Sequence, residues 1–177
     1  MIPTDFKLKY DKNCIDDAIS NVADKMNKFF NKKDFKNDDI VALTILKGAM
    51  FFSIDLMKKL AFNFSVDFLK ASSYHSNKQS TEILIDAKNV FVKDKTVILL
   101  DDICDTGITL YELSNILKNY GAKEVYSAVL LKRLGTTSKY KPNWVGFVDK
   151  SKDWFVGYGM DDAQKWRQLP EIYVKKQ

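Results

Sequence analysis

The segment from Val97 to Leu110, reading VILLDDICDTGITL, constrains the fold more than any other part of the chain. Val97 to Leu100 form an unbroken apolar run, the composition of a strand buried on both faces of a parallel sheet. The run ends on two adjacent carboxylates, Asp101 and Asp102, and a short loop with Asp105, Thr106, Gly107 and Thr109 leads into helical apolar spacing. In an open α/β sheet, ligands collect at the carboxyl ends of strands, where the next helix offers unpaired N–H groups to an anion. Gly107 lets the backbone approach that anion, and Thr106 and Thr109 can add hydroxyl donors. Asp101 and Asp102 would repel a phosphate, so they are expected to face sugar hydroxyls or a metal. The combination implies a phosphorylated sugar bound with a divalent ion. The plain alternative is an ordinary strand followed by a helix capped by Asp105 or Thr106. Other phosphate motifs do not fit: there is no G-x-x-x-x-G-K-[ST] run and no G-x-G-x-x-G after a strand. An Asp-x-Asp-x-Thr motif is absent as well.

The remaining chain alternates in the same way. Ile15, Ala18, Ile19, Val22, Ala23, Met26, Phe29 and Phe30 make the wide apolar stripe of an amphipathic helix. Ile40 to Leu46 reads as a buried strand, Ala49 to Leu60 as the helix after it, and Phe64 to Leu69 as another strand. A polar stretch from Ser72 to Thr81 reads as a loop, flanked by the short apolar Ile83-Leu84-Ile85. The signature strand and helix fill roughly 96–120, Val125 to Leu131 is strand-like, and short strands are expected at 145–148 and 155–158. Alternating strands and helices predict an α/β fold, a mainly parallel sheet flanked by helices, with a small subregion built from the terminal segments. With 177 residues, 46% of them hydrophobic, and no repeat or linker, one domain over residues 1–177 is expected.

Composition excludes several classes of function. Charges interrupt every hydrophobic run, so no stretch is apolar enough to span a bilayer, and Met1 to Asp5 lack the features of a signal peptide. Cys14 and Cys104 cannot form a disulfide scaffold, and reduced thiols make the cytoplasm the simplest address. The net charge of +5 comes from scattered lysines rather than an arginine-rich tract, the pattern of a solvated surface more than of a nucleic-acid interface. A positive field would also favour a phosphate-rich substrate. His75 is the sole histidine, which excludes a multi-histidine zinc site.

Three further constellations fall at strand ends. Leu46-Lys47-Gly48 closes one strand and opens a helix, Lys132-Arg133 follows Leu131, and an aromatic run, Trp154-Phe155-Val156-Gly157-Tyr158-Gly159-Met160-Asp161, precedes Arg167. Each has a bland reading as a turn, a surface cation or core packing, and core packing is preferred for Phe147 and Tyr158. The signature segment resembles the ribose-phosphate-binding motif of the type I phosphoribosyltransferases. With these constellations and Tyr140 to Phe147, the chain from about Leu46 to Arg167 resembles the hypoxanthine-guanine phosphoribosyltransferases. Four motifs in the right order make this far more specific than any one alone.

The resemblance implies a site. Asp101 and Asp102 would hold the ribose hydroxyls, directly or through Mg²⁺, and Asp105 would accept the purine N7 proton as the catalytic base. Asp105, Thr106, Gly107, Ile108 and Thr109 would wrap the 5′-phosphate. Ile108 departs from relatives that carry Lys or a small residue there. Lys47 and Gly48 would take the pyrophosphate with Arg167, and the Leu46–Lys47 peptide is often cis in the family. Lys132 would recognise the 6-oxo group, Trp154 would stack on the purine and Ile103 would pack on its other face. The backbone at Phe155 and Asp161 would meet the C2 edge, with Asp161 also available to a second Mg²⁺. Ser73 and Tyr74 would belong to a mobile lid. The implied reaction transfers the 5-phosphoribosyl group from 5-phosphoribosyl 1-diphosphate to N9 of hypoxanthine or guanine, giving IMP or GMP and pyrophosphate. The alternatives are a xanthine-preferring transferase and an RNA-binding regulator on the same fold. The implied partners are these small molecules and, as in the family, further copies of the chain in a homodimer or homotetramer. No membrane partner is expected, and a nucleic-acid partner is disfavoured.

Overall fold

Strand β5 (Thr96–Cys104) lies inside a six-stranded sheet, and its alternating side chains feed two separate cores. The computed structural model describes residues 2–32, 39–75, 81–85, 91–134 and 138–175, with the backbone alone at 71–75 and 81–85. Ahead of β5 come β1 (Phe6–Tyr10), α1 (Lys12–Phe30), β2 (Ile40–Leu46), α2 (Met50–Met57), β3 (Ser65–His75) and β4 (Thr81–Ile85). After it come α3 (Ile108–Asn119), β6 (Glu124–Arg133), β7 (Trp144–Asp149), β8 (Trp154–Val156) and β9 (Ile172–Lys175). The order across the large sheet is β4-β3-β2-β5-β6-β7. All its pairings are parallel except β3–β4, which adds an antiparallel edge.

Period-two alternation explains the layering. Ile98 and Leu100 join Ile40, Ala42, Ala128 and Leu130 on the face covered by α1 and α2. Val97 and Leu99 join Leu43, Ile45 and Val129 on the face covered by Leu110, Leu113 and Leu117 of α3. The four apolar residues of the signature strand are 0% exposed, each worth roughly 1.5–3 kcal/mol of transfer free energy. Helix α1 starts at Asp11, whose carboxylate accepts from the Cys14 N–H at 2.8 Å. It buries Ile15, Ile19, Val22, Ala23, Met26 and Phe30.

The terminal segments form the expected subregion as a three-stranded antiparallel sheet ordered β1-β9-β8. Phe6, Val156 and Tyr173 are its core, with Trp166 edge-on to Phe6 at 5.9 Å. This hood is fastened to the main sheet at the end of β7. Tyr10 stacks on Phe147 at 4.0 Å, and Asp149 receives Lys9 at 2.8 Å and the Ser151 N–H at 2.6 Å.

Several boundaries differ from the sequence reading. The signature strand continues through Asp101 and Asp102 to Cys104, because β6 pairs alongside it as far as Cys104↔Lys132. The helix after β2 stops at Met57, and Asn27 of α1 receives the departing chain, bonding the Lys59 carbonyl and the Ala61 N–H. The polar stretch expected as a loop begins as strand: Ser72 to His75 pair with Leu84 to Thr81. Residues 76–80 of that stretch lie outside the described residues. The strand expected at 155–158 ends at Val156, since Tyr158 adopts φ 49°.

Burial pushes the Asp149 carboxyl up, but the Lys9 ammonium and the Ser151 contacts outweigh it and hold the group down at about 2. A carboxyl held lower in the folded state than in the unfolded one stabilises the fold above its ordinary pKa near 4, and that stability is lost as pH falls toward 2. Denaturant titrations of wild type and Asp149→Asn should therefore differ by about 1–2 kcal/mol at pH 7 and converge between pH 4 and 2.

Candidate active site

Two cavities open side by side at the carboxyl edge of the large sheet, and Asp102 and Ile103 line both. The first, about 240 Å³, is completed by Asp105, Arg133, Trp154, Phe155, Met160 and Asp161. The second, about 230 Å³, is completed by Ile45, Leu46, Lys47, Gly48, Asp101, Thr109 and Arg167. The first sets flat and apolar side chains, Trp154, Phe155, Ile103 and Met160, beside charged ones; in the second, cations, carboxylates and backbone lie beside Ile45, Leu46 and Ile103.

Asp101 and Asp102 reach this edge because β5 carries them there under a fully buried run. Burial and the neighbouring Asp102 charge push the Asp101 carboxyl well above the usual range. Burial also raises Asp102, opposed by its side-chain hydrogen bond with Asp101, by backbone N–H groups and by the positive charge of Arg167. A pair of carboxylates this reluctant to ionise suits a divalent cation, which would supply the missing positive charge. Among the described residues no group of three or more His, Cys, Asp or Glu gathers to hold a metal. Two protein carboxylates with substrate oxygens and waters are the kind of site that Mg²⁺ accepts. Asp161 stands apart from the pair: its Oδ1 meets Arg167 Nη2 at 2.6 Å and its Oδ2 accepts the Gln164 N–H at 2.8 Å.

The turn after β5 is built for a close approach. Gly107 sits at the start of α3 with φ 72°, a left-handed value costly for other residues, and provides no side-chain cap. Thr106 Oγ1 lies 3.5 Å from the Ile108 N–H, and Lys139 donates its N–H to the Thr106 carbonyl at 2.9 Å. Neither Asp105 nor Thr106 caps the helix in the way the plain reading required. Cys104 faces the α3 core, 2% exposed, and burial pushes its thiol up to about 11.

Across the second cavity, the Leu46–Lys47 peptide is cis. Gly159, with φ 100°, lies so close to the Gly48 carbonyl that a Cβ would collide with it. Arg167 Nη1 donates to the Gly159 carbonyl at 2.7 Å while Nη2 holds Asp161. The loop from 157 to 167 is thereby bound both to itself and to the Lys47-Gly48 turn. Tyr158 is buried, as the core reading expected, and its hydroxyl donates to Asp55 of α2 at 2.7 Å.

In the first cavity, Trp154 and Ile103 are both wall residues. Trp154 is 58% exposed, and its indole N–H donates to the Asp161 carbonyl at 2.9 Å. Lys132, in contrast, is not among the lining residues; Arg133 is. The alternation of β6 slips by one residue, since the consecutive Leu130 and Leu131 both enter the α1/α2 core. Lys132 pairs with Cys104, a residue of the α3-side core, in the register that β6 keeps from Thr96↔Glu124 onward, and Arg133 lines the cavity. Arg133 stood in the sequence only as the neighbour of Lys132, and Gly159 and Met160 only within the aromatic run; none of the three had a site role from sequence. Which of two adjacent cations lines a cavity has no local sequence signal, although Arg133 is one of only two arginines in the chain. Ser73 and Tyr74 lie on β3 opposite Ile83 and Glu82, and their side chains are outside the description. Thiol titration of the native protein should detect Cys14, which is exposed, and reach Cys104 only on unfolding.

Comparisons with known proteins agree with this geometry. The sequence pattern of the phosphoribosyl transferase domain matches residues 13–163. A hypoxanthine-guanine phosphoribosyltransferase of Staphylococcus epidermidis is 32% identical over 166 residues, covering 91% of this chain and 90% of that protein. A hypoxanthine-guanine-xanthine phosphoribosyltransferase of Tritrichomonas foetus is 29% identical over 97% of this chain and 92% of its own length. The crystal structure of a hypoxanthine phosphoribosyltransferase from Staphylococcus aureus superposes with a TM-score of 0.85 at 26% identity, covering 96% of this chain and 91% of that one. The extent of these matches, over a sheet edge with the expected motifs in place, shows that the chain belongs to the phosphoribosyltransferase family.

Proposed function

We infer that the protein is a purine-salvage enzyme that transfers the 5-phosphoribosyl group from 5-phosphoribosyl 1-diphosphate to N9 of hypoxanthine or guanine. The bond from N9 to the anomeric carbon forms, the bond from that carbon to pyrophosphate breaks, and the purine gives up one proton. The observation that carries the reading is the pair of adjoining cavities. A flat base suits the one between Trp154 and Ile103, a pyrophosphate suits the one lined by Lys47, Gly48 and Arg167, and the shared Asp102 lies where ribose would join them.

Asp105 accepts the N7 proton as N9 attacks, general-base assistance typically worth about 10²–10⁴-fold. The turn from Asp105 to Thr109 cradles the 5′-phosphate through backbone N–H groups and hydroxyls, and Ile108 is tolerated because that cradle is led by backbone. Asp101 and Asp102 hold the ribose hydroxyls and the metal, for which Mg²⁺ is proposed; when bound it stabilises the charge on the departing pyrophosphate. Arg167 lies ready for the same group, its present hold on Asp161 being an exchangeable ion pair. Lys132 needs a side-chain swing to serve the 6-oxo oxygen. The β3–β4 arm carrying Ser73 and Tyr74 serves as the lid that excludes water from the reacting centre. Cys14 and Cys104 are both free, which suits a cytoplasmic setting, and among the described residues no helix is long and apolar enough to cross a membrane. Association into a dimer or tetramer is proposed on the family likeness.

Initial rates with 5-phosphoribosyl 1-diphosphate, Mg²⁺ and hypoxanthine, guanine, xanthine or adenine test the assignment. Turnover of 6-oxopurines but not adenine is expected, with Asp105→Asn slower by about 10²–10⁴-fold. The xanthine rate decides whether the substrate range extends to that base. A folded, nucleotide-binding protein that turns over no base would overturn the enzyme reading and favour a regulator. Gly159→Ala should raise the KM for 5-phosphoribosyl 1-diphosphate by at least about tenfold, because its Cβ pushes the Lys47-Gly48 turn out of place. A KM equal to wild type would show that the contact with Gly48 does not matter.

A further inference from the structure

We propose that Arg133 is a positioning residue that sets both the proton acceptor Asp105 and the aromatic wall of the purine cavity. The proposal rests on the reading of Asp105 as the general base. The Arg133 side chain is 11% exposed, and its guanidinium engages three segments at once. Nε faces Asp105 Oδ2 at 3.4 Å, Nη2 donates to the Asp153 carbonyl at 3.0 Å, and Nη1 donates to the Ser151 carbonyl. Its central carbon lies 5.1 Å from the centroid of the Phe155 ring.

These contacts join pieces that are far apart in sequence. Asp105 follows β5, Ser151 and Asp153 belong to the connection from β7 to β8, and Phe155 is in β8. That connection is also held at its start, where Asp149 accepts the Ser151 N–H and the Leu134 N–H donates to the Asp149 carbonyl at 2.7 Å. It ends at Trp154, the exposed wall of the purine cavity. Arg133 therefore sets the distance between the carboxylate that takes the proton and the ring that stacks on the base.

A buried cation is expensive unless its donors are satisfied, and the Arg133 fork gives Nη1 and Nη2 to two carbonyls while Nε faces a carboxylate. A lysine ammonium could keep the charge near Asp105 but could not hold both carbonyls in that geometry. Pairing at Oδ2 restricts rotation of the half-exposed Asp105 carboxylate, so the oxygen that meets N7 is selected before the base enters. A misplacement of about 1 Å at such a group costs on the order of 10²-fold in rate.

Steady-state kinetics with hypoxanthine on wild type, Arg133→Met, Arg133→Lys and Asp105→Asn separate the possibilities. Arg133→Met should lower kcat by about 10–100-fold and raise the KM for hypoxanthine about tenfold, leaving the KM for 5-phosphoribosyl 1-diphosphate within about twofold. Arg133→Lys should recover most of kcat through the ion pair yet keep the raised hypoxanthine KM. If Asp105→Asn is disabled while Arg133→Met retains wild-type kcat and KM, the positioning role is wrong and the base assignment stands. If Asp105→Asn turns over at the wild-type rate, the base assignment itself fails. Should Arg133→Met not fold, Arg133→Lys decides alone. A hypoxanthine KM that stays at the wild-type value, or rises in step with that of 5-phosphoribosyl 1-diphosphate, overturns the proposal.

Discussion

Two carboxylates carried to the edge of the sheet by a strand with no exposed side chain are the constraint on which the rest depends. Val97 to Leu100 are fully buried between α3 on one side and α1 and α2 on the other, so β5 has no freedom to slide. Its next two residues must then sit at the rim of the core, where burial makes ionisation unfavourable. The surroundings answer part of that electrostatic problem: Arg167 brings positive charge from the hood. A site made this way prefers cations and the oxygens that bring cations with them, the character of a metal-bearing phosphorylated sugar.

Around that pair, positioning comes from arginines and close backbone contacts more than from apolar packing. Arg167 holds Gly159 and Asp161, while Gly159 rests against Gly48. Arg133 does the equivalent at the other cavity, tying Asp105 to the connection that leads to Trp154. The chain has only two arginines, and each lines one of the two cavities. Lysines, far more numerous, decorate the surface; the fork that holds two carbonyls at once is reserved for the guanidinium.

The legible part of this chain was the part governed by local periodicity. The helix over Ile15 to Phe30, the strand Ile40 to Leu46 and the signature strand followed by α3 were all readable, because buried faces impose spacings of about 3.6 and 2 on apolar residues. β1 also carries an apolar alternation, Phe6-Lys7-Leu8-Lys9-Tyr10, but its partner β9, four residues long, is too short to announce itself. The extension of β5 through Asp101 and Asp102 was hidden, since two acids read as a strand end. Only the matching length of β6 beside them makes the backbone pair onward.

By itself the sequence determined the fold class, the order of the elements, the edge of the sheet where chemistry would gather and the residue types gathered there, because each follows from local pattern and motif. Tertiary structure alone decided which of two neighbouring cations faces the purine cavity: Leu130 and Leu131 both enter the α1/α2 core, Lys132 pairs with Cys104, and Arg133 meets Asp105. It also decided that Gly159 and Gly48 touch, and that Asp161 is paired with Arg167 instead of joining the buried acids. The first joins segments more than a hundred residues apart, and the second closes one loop on itself. No local spacing encodes them; the packing of the hood on the sheet creates them.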